Sequence, residues 1–237
     1  MKLIELFEDV PAGEKEQYNN LDTILNDIER DCSDIIKVYK QTNKLLYRGI
    51  RSALPYFKGR PRNNRRPLHS EIYKHNFINK GLAVLGFSTN RSNSIAVTSS
   101  LYDTQKYGNR YIIFPKNGFD FLYGNKKDLI TMVHSDEDLY PWLEKHYSKA
   151  FLIKLLKKFS KKILFSYISK NILENEKTMK IYWEYIANKY NLLDINIAYA
   201  IQQGYEIMIS GTEYYAVKEN YISEIIQHFD FNMDDSI

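Results

Sequence analysis

The chain has 237 residues, of which 44% are apolar and 26% are charged, and its formal net charge is +4. These values suit one large folded domain and exclude a disordered chain. Cys32 is the only cysteine, which excludes a disulfide framework and a multi-cysteine metal site and suits a reducing cytosol. Acidic residues and a proline follow Met1 where a signal peptide needs an apolar run, and no stretch approaches about 18 apolar residues. We therefore expect a cytoplasmic protein without a membrane span.

The first part of the chain predicts two helices with a strand and a loop between them. Apolar residues at three- and four-residue steps predict a helix over 17–41, and the run KLLYRGI predicts a strand over 45–50. The segment 51–66 contains glycine and prolines and is expected to be a loop. A helix over 68–80 should then end at Gly81.

A β-rich block follows in the middle of the chain. Strands are predicted over 94–100, 110–115 and 119–124, with a short turn of helix after the first of them. The second and third strands lie on either side of the turn Lys-Asn-Gly. We therefore expect these two strands to pair as an antiparallel hairpin.

The last part of the chain returns to strands only after a long helical segment. Residues 136–201 predict several helices without a clear strand, which we interpret as a helical insert. Strands are predicted again over 205–210 and 213–217, and a helix over 219–229 closes the fold. Strands separated by helices without βαβ regularity favour an α+β fold, with 1–237 forming a single domain.

Familiar catalytic signatures are missing from the sequence. It contains no GxxxxGK[ST], GxGxxG, HExxH or GxSxG motif. No pair of histidines has a spacing typical of metal ligands, so no metal site is expected. The five histidines are His69, His75, His134, His146 and His228.

Two predicted strand ends carry polar residues that can do chemistry, and each also has an ordinary structural interpretation. Arg48 precedes Gly49, so a guanidinium can hold a phosphate or carboxylate where a glycine permits close approach. The alternative is a surface arginine before a turn. Thr98, Ser99 and Ser100 can hydrogen-bond a ligand ribose or order a catalytic carboxylate. Taken alone, they are better explained as the N-cap of the following helix.

Glu206 lies inside the apolar run YEIMIS of a late strand. Burying a carboxylate is costly unless it is paired or functional, so this position indicates a catalytic group. The alternative is an alternating strand on which Glu206 faces water.

The chain carries an Arg on the first strand, a Ser or Thr at the end of a central strand and a Glu on a late strand. Taken in this order, these residues resemble the Arg-Ser-Glu triad of ADP-ribosyltransferases. The segment RSNSIAVTSSLYDTQKYGNRYIIFP also resembles uncharacterised phage-encoded proteins that carry RSNS, then TSS or TGD, then YG and YIIFP. The resemblance covers about 45–124 and 203–217. It implies an ADP-ribosyltransferase-like fold, with a mixed or antiparallel β core and a helical insert, and a role in phage–bacterium conflict.

The resemblance also implies roles for individual residues. In that family the Arg binds the phosphates of NAD, the Ser positions the nicotinamide ribose and the catalytic Glu, and the Glu stabilises an oxocarbenium-like transition state. Carried to this chain, the roles are cofactor binding by Arg48, Gly49, Thr98, Ser100 and Tyr107, and catalysis by Ser99 and Glu206. Members that modify arginine have Glu or Gln at the place of Gly204, so this chain departs from them there.

A basic segment, KGRPRNNRR, follows the strand that carries Arg48. Its five cations could contact nucleic-acid phosphates, and the adjacent Tyr56 and Phe57 could stack on a base. The alternative is a solvated charged loop. The five cations are Lys58, Arg60, Arg62, Arg65 and Arg66. The lysines of 154–162 are interpreted as the wet face of an amphipathic helix.

Three functions are consistent with these patterns. The first is an ADP-ribosyltransferase-like enzyme with NAD as substrate and nucleic acid or protein as acceptor. The second is a DNA glycosylase, which would flip out and excise a normal or modified base without a cofactor. Both break an N-glycosidic bond, and one carboxylate can stabilise the charge that develops on the sugar in either reaction. The third is a non-enzymatic inhibitor or nucleic-acid-binding module on the same fold. We expect DNA as the macromolecular partner.

Overall fold

The fold is α+β, as predicted, and its centre is an eight-stranded sheet covered by helices on both sides. A computed structural model describes residues 16–62, 72–104, 107–125, 136–158, 168 and 174–232. All neighbouring strands of this sheet pair antiparallel, so within the described residues the β core is antiparallel and not mixed.

The strands do not follow one another across the sheet in chain order. They are β1 (Glu16–Gln17), β2 (Tyr47–Ile50), β3 (Tyr56–Gly59), β4 (Ser94–Thr98), β5 (Asn109–Pro115), β6 (Asp120–Tyr123), β7 (Glu206–Ser210) and β8 (Tyr214–Lys218). Their order in the sheet is β1-β3-β8-β5-β2-β4-β7-β6. Each predicted strand is present, with its ends shifted by a few residues.

The helices fill the connections between these strands. They are α1 (Leu21–Asp31), α2 (Ser33–Thr42), α3 (Ile72–Val84), α4 (Leu101–Thr104), α5 (Asp136–His146), α6 (Lys149–Lys158), α7 (Glu176–Tyr190), α8 (Ile197–Gln203) and α9 (Ile222–Phe229). The single helix predicted over 17–41 is two helices, because the backbone leaves the helical region at Cys32, with φ −124° and ψ 27°.

The predicted hairpin of β5 and β6 is wrong. β5 pairs with β2 and β8, whereas β6 pairs with β7 at the edge of the sheet. The connection between them docks on the junction of α1 and α2 instead of closing a tight turn. There the Asn117 N–H donates to the carbonyl of Asp31 (2.8 Å), and the Asn117 side chain accepts from the N–H of Asp34 (3.0 Å).

Two further local predictions are corrected by long-range packing. The segment predicted as a loop over 51–66 contains β3, because Phe57 is buried between Tyr111 and Tyr214, with ring centroids 5.4 and 6.3 Å away. Helix α3 also does not stop at Gly81. A Cβ there would lie 1.8 Å from the ring of Trp183, so this glycine allows α3 to pack closely against α7.

Alternation along β7 divides the core into two layers. Ile207 and Ile209 pack with α1, α2, α8 and α9 on one side of the sheet. Met208 packs with α3, α5, α6 and α7 on the other side. Since alternate residues of a strand share a face, Glu206 and Ser210 lie on the same side as Met208. Within the described part of the chain, none of the helices has the length and hydropathy needed to cross a membrane.

Candidate functional site

Three candidate residues that are far apart in the chain lie on neighbouring strands. β2 carries Arg48, β4 ends at Thr98 and β7 begins at Glu206, and these strands are adjacent in the order β2-β4-β7. Thr98 lies directly opposite Glu206 on one side and Tyr47 on the other. Because Cα atoms of directly opposed residues are about 5 Å apart, the register brings these three strand ends together.

β2 and β4 separate immediately beyond this point. They share one paired position, Tyr47 with Thr98, whereas β4 and β7 share five. Across the separation, Nη1 of Arg48 donates to the carbonyl oxygen of Ala96 at 2.8 Å. The guanidinium thus donates a hydrogen bond to a β4 carbonyl that does not receive a backbone hydrogen bond from β2. Arg48 is only 3% exposed, so its interpretation as a surface arginine before a turn is wrong.

A segment of the protein itself, and not a ligand, lies close to the backbone of Gly49. A Cβ at this position would lie 2.6 Å from Cβ of Tyr107 and 2.7 Å from the carbonyl oxygen of Thr104. Tyr107 is buried, so this candidate cofactor residue packs against β2. The glycine is therefore explained by packing of the segment after α4, without a ligand.

Glu206 is buried at the beginning of β7. Its exposed fraction is 5%, so the alternative in which it faces water is wrong. It shares the α3/α7 side of the sheet with Met208 and stands opposite Thr98. A buried ionisable group at the end of a strand is a typical setting of a functional carboxylate.

The turn that leads into Glu206 is held by hydroxyl groups of the last residue of β4 and of the residue that follows it. Oγ of Ser99 donates to the carbonyl of Ile201 at 2.6 Å, and Oγ1 of Thr98 donates to the carbonyl of Gly204 at 3.3 Å. Gly204 has φ +68° and is the C-cap of α8. The last carbonyls of a helix lack intrahelical partners, and here β4 supplies some of them. Ser99 therefore holds the end of α8, which neither sequence interpretation had foreseen.

A second set of contacts holds the same turn from the side of β2. Nζ of Lys44 donates to the carbonyl of Gln202 at 2.9 Å, and Nε2 of Gln202 donates to the carbonyl of Thr42 at 2.8 Å. Thr42 is the last residue of α2, and Lys44 lies in the short connection between α2 and β2. The segment that precedes Glu206 is thus fixed between the strand of Arg48 and the strand of Ser99. A functional side chain needs surrounding contacts of this kind to keep a defined position.

Ser100 has a local role beside these residues. Its backbone N–H donates to Oγ1 of Thr98 at 3.1 Å, which bends the chain between β4 and α4. The Ser100 side chain is half-buried next to the paired strand ends. The structure thus places Thr98 opposite Glu206, with Ser99 and Ser100 directly after it in the chain.

The basic segment lies away from the paired strand ends, because it begins in β3, near the other edge of the sheet. Nζ of Lys58 forms an ion pair with Glu16 (2.7 Å), and Arg60 pairs with Glu213 (3.1 Å). The hydrogen bond to Glu16 raises the pKa of Lys58. Arg62 is half-buried and ends the described stretch. Arg65 and Arg66 lie outside the described residues.

The proposed stacking of Tyr56 and Phe57 on a base is wrong. Both rings are buried in the core, Phe57 completely, and Tyr56 packs edge-on against Tyr221. Lys154 and Lys157 are exposed on α6, as expected for the wet face of a helix. The other lysines of that cluster, Lys158, Lys161 and Lys162, are not described at the level of side chains.

His75 and His146 each have a hydrogen-bond partner of an ordinary kind. Nε2 of His75 lies 2.9 Å from Oγ of Ser92, and Nδ1 of His146 lies 2.8 Å from the carbonyl of Trp142. Among the residues that the structure describes, no group of three or more His, Cys, Asp or Glu side chains could hold a metal ion. His69 and His134 lie outside those residues.

The sequence did not single out Arg91, although it begins the segment RSNS. Arg91 is among the largest fully buried side chains, and its backbone N–H donates to Oδ1 of Asn79 at 3.0 Å. The Asn79 amide and His75 share the hydroxyl of Ser92. This polar cluster joins α3 to the start of β4, at the opposite end of that strand from Thr98. The polar run before an apolar strand was the signal that could have revealed it.

Compared with known protein families, curated proteins and solved structures, the chain matches none of them. We therefore infer its function from the arrangement of its own residues.

Proposed function

We propose that this protein is an enzyme that breaks an N-glycosidic bond, and that its reaction is ADP-ribosyl transfer from NAD. The observation that carries the proposal is the position of Arg48, Ser99 and Glu206 at the adjoining ends of β2, β4 and β7. The Arg-Ser-Glu resemblance requires these three residue types to come together from distant parts of the chain. The ADP-ribosyltransferase-like fold is part of the same proposal.

Glu206 is the catalytic residue of the proposal. When the bond between C1′ and the nicotinamide nitrogen breaks, its electron pair leaves with nicotinamide and positive charge develops on the ribose. A carboxylate beside the sugar stabilises that charge, and its effect is stronger in a buried setting than in water. Burial of Glu206 at the start of β7 supports this role.

Arg48 binds the phosphates of NAD in this proposal. Its bond from Nη1 to the Ala96 carbonyl anchors one nitrogen of the guanidinium before a ligand arrives. A planar fork held in this way suits a phosphate better than a flexible ammonium does. The separation of β2 from β4 beyond Tyr47 is the proposed place where the dinucleotide enters.

We further propose nucleic acid, in particular DNA, as the acceptor, in the setting of phage–bacterium conflict. The basic segment supports this part, although Lys58 and Arg60 are each paired with a glutamate. The alternative reaction, excision of a DNA base, would use the same Glu206 without a pyrophosphate at Arg48.

One experiment separates these reactions. The protein is incubated with NAD alone, with DNA alone and with both, and the products are identified by mass spectrometry. The same incubations are made with Glu206→Gln and with the matched surface variant Glu224→Gln. Release of nicotinamide that Glu206→Gln abolishes supports the proposal. A free base and an abasic site would instead identify a DNA glycosylase, and absence of any product would contradict an enzymatic function.

A further inference from the structure

The short helix α4 spans the place where β2 and β4 separate. It follows Ser100, whose backbone N–H is bonded to the side chain of Thr98 at the end of β4. At the other end of α4, the carbonyl oxygen of Thr104 lies 2.7 Å from the position that a Cβ of Gly49 would occupy. The helix thus reaches from the end of β4 to the middle of β2.

The inner face of α4 is occupied by two residues, and Tyr102 lies on its outer face. Leu101 packs against the core and Thr104 is fully buried. Residues three apart in a helix share a face, and Oγ1 of Thr104 also donates to the Leu101 carbonyl at 2.9 Å. Tyr102 is 69% exposed, the largest value among the exposed large apolar side chains of the described residues. Its ring therefore contributes little to the packing of α4.

The position of Tyr102 distinguishes it from other exposed apolar residues. A single exposed ring on a protein surface is ordinary and needs no explanation. Tyr102, however, follows Thr98 by four residues, which span at most about 14 Å. Thr98 lies directly opposite Glu206. The exposed ring thus stands at the edge of the candidate active site.

An exposed cation, Arg51, lies beside the segment that follows α4. Arg51 comes directly after Ile50, the last residue of β2. A Cβ at Gly108 would lie 3.0 Å from the backbone nitrogen of Arg51, so the two segments are in close contact there. None of the ion pairs between described residues includes Arg51, in contrast to Lys58 and Arg60. Its charge is therefore available to a phosphate.

We propose that the acceptor is single-stranded DNA, with an unpaired base stacked on Tyr102 and a neighbouring phosphate bound by Arg51. This inference rests on the proposed function, because it takes the adjoining ends of β2, β4 and β7 as the reaction site. An aromatic ring next to a cation suits a single strand, whose bases present their faces, better than a duplex, whose bases are stacked on each other. An acidic protein segment would use the cation but not the ring.

The test measures the affinity for a fluorescein-labelled single strand of about twelve nucleotides by fluorescence anisotropy. All titrations use protein with Glu206→Gln, so that no reaction consumes the ligand. Adding Tyr102→Ala should weaken binding at least about fivefold, whereas Tyr102→Phe keeps the ring and should bind nearly as tightly as the parent. Tyr199→Ala removes another exposed tyrosine, on α8, and should leave the affinity unchanged. The duplex of the same sequence should bind more weakly than the single strand.

The contribution of Arg51 is measured in the same assay at several salt concentrations. Arg51→Gln should reduce the logarithmic salt slope by about 0.7, the value for one phosphate contact of a single strand. Lys180→Gln removes an exposed charge on α7 and should leave the slope unchanged. Equal affinity with and without Tyr102→Ala would overturn the proposal. So would equal binding of duplex and single strand, or a polyglutamate peptide that binds as tightly as the oligonucleotide.

Turnover of NAD is measured separately, so that the inference and the proposed reaction fail in different ways. If Tyr102→Ala in the otherwise unchanged protein raises KM for NAD and the DNA affinity stays constant, the ring serves the dinucleotide and the inference is overturned while the reaction stands. If the unchanged protein releases no nicotinamide but Tyr102→Ala still weakens DNA binding, the proposed reaction is overturned and the contact with the single strand stands. Thermal unfolding of each variant should match the parent, because the ring of Tyr102 is exposed.

Discussion

The guanidinium of Arg48 donates through Nη1 to the carbonyl oxygen of Ala96, 2.8 Å away, at the place where β2 and β4 stop pairing. This bond joins the two parts of the sheet, β1-β3-β8-β5-β2 and β4-β7-β6. Arg48 is therefore a structural residue as well as the proposed phosphate ligand. Any test of its function must measure stability and ligand binding separately.

Glu206→Gln is expected to reduce nicotinamide release from NAD by at least about a hundredfold, because the amide keeps the shape of the side chain and loses its charge. The melting temperature should stay within a few degrees of the wild type. Steady-state kinetics and thermal unfolding measure the two effects, and Glu224→Gln, on the exposed side of α9, should retain full activity. Wild-type turnover in Glu206→Gln would remove this residue from the chemistry.

Arg48→Lys is expected to lower the affinity for NAD about tenfold, because an ammonium cannot replace a bidentate fork. It should also lower the free energy of unfolding by about 1 kcal/mol, since the bond to the Ala96 carbonyl is lost or weakened. Calorimetric titration and urea unfolding give the two values. Arg110→Lys is the control, because Arg110 lies opposite Gly49 and pairs with Glu219. Unchanged affinity in Arg48→Lys would leave only the structural role.

Ser99→Ala is expected to lower the free energy of unfolding by about 1 kcal/mol, because the Ile201 carbonyl loses its 2.6 Å hydrogen bond. In the proposed enzyme, kcat should fall while KM changes little, since the turn before Glu206 becomes less well held. Ser99→Thr keeps a hydroxyl and should restore both values in large part. Ser223→Ala, on an exposed position of α9, serves as control. If kcat of Ser99→Ala equals that of the wild type, the turn does not position Glu206.

Replacing Arg60, Arg62, Arg65 and Arg66 with alanine should make DNA binding less dependent on salt, because each phosphate contact contributes about 0.9 to the logarithmic slope. Since Arg60 is paired with Glu213, we expect a change of at most about three units, and Arg60→Ala alone should change little. Fluorescence anisotropy with duplex and single-stranded DNA at several salt concentrations gives the slope. Turnover of NAD should be nearly unchanged. An unaltered slope would favour a protein acceptor or a small-molecule substrate.

Ionisation of Tyr47 should make the protein less stable at alkaline pH. Burial, with a smaller contribution from Glu219, raises the pKa of Tyr47 from 10.0 to about 12, although Arg110 lowers it. Above pH 10 the unfolded chain therefore loses this proton before the folded protein does, and the free energy of unfolding falls between about pH 10 and pH 12. Tyr47→Phe lacks the group, so its stability should fall less steeply in that window. Urea unfolding at several pH values measures both curves, and parallel curves would contradict the burial of this phenol.

Local patterns predicted the elements whose stability depends on their own residues. The apolar runs of β4, β5 and β7 identified those strands with errors only at their ends, and the periodic apolar residues of α1 and α2 identified helical structure but not the break between the two helices. β3 was missed because Phe57 is held by Tyr111 and Tyr214 and Tyr56 packs on Tyr221, all of which lie far away in the chain. Strand propensity is largely a matter of such packing, and a local pattern does not contain it.

By itself, the sequence determined which residue types stand at the strand ends: Arg48 on an early strand, hydroxyl residues after a central strand and Glu206 on a late strand. Only the tertiary structure decided that these strands are neighbours, that Thr98 lies opposite both Tyr47 and Glu206, and that Ser99 holds the end of α8. The hairpin of β5 and β6 was predicted wrongly for the same reason, because the partners of a strand are decided by the tertiary structure. A turn signal controls the direction of a few residues, whereas strand order and register depend on the free energy of pairings between distant segments, which no short stretch of sequence contains.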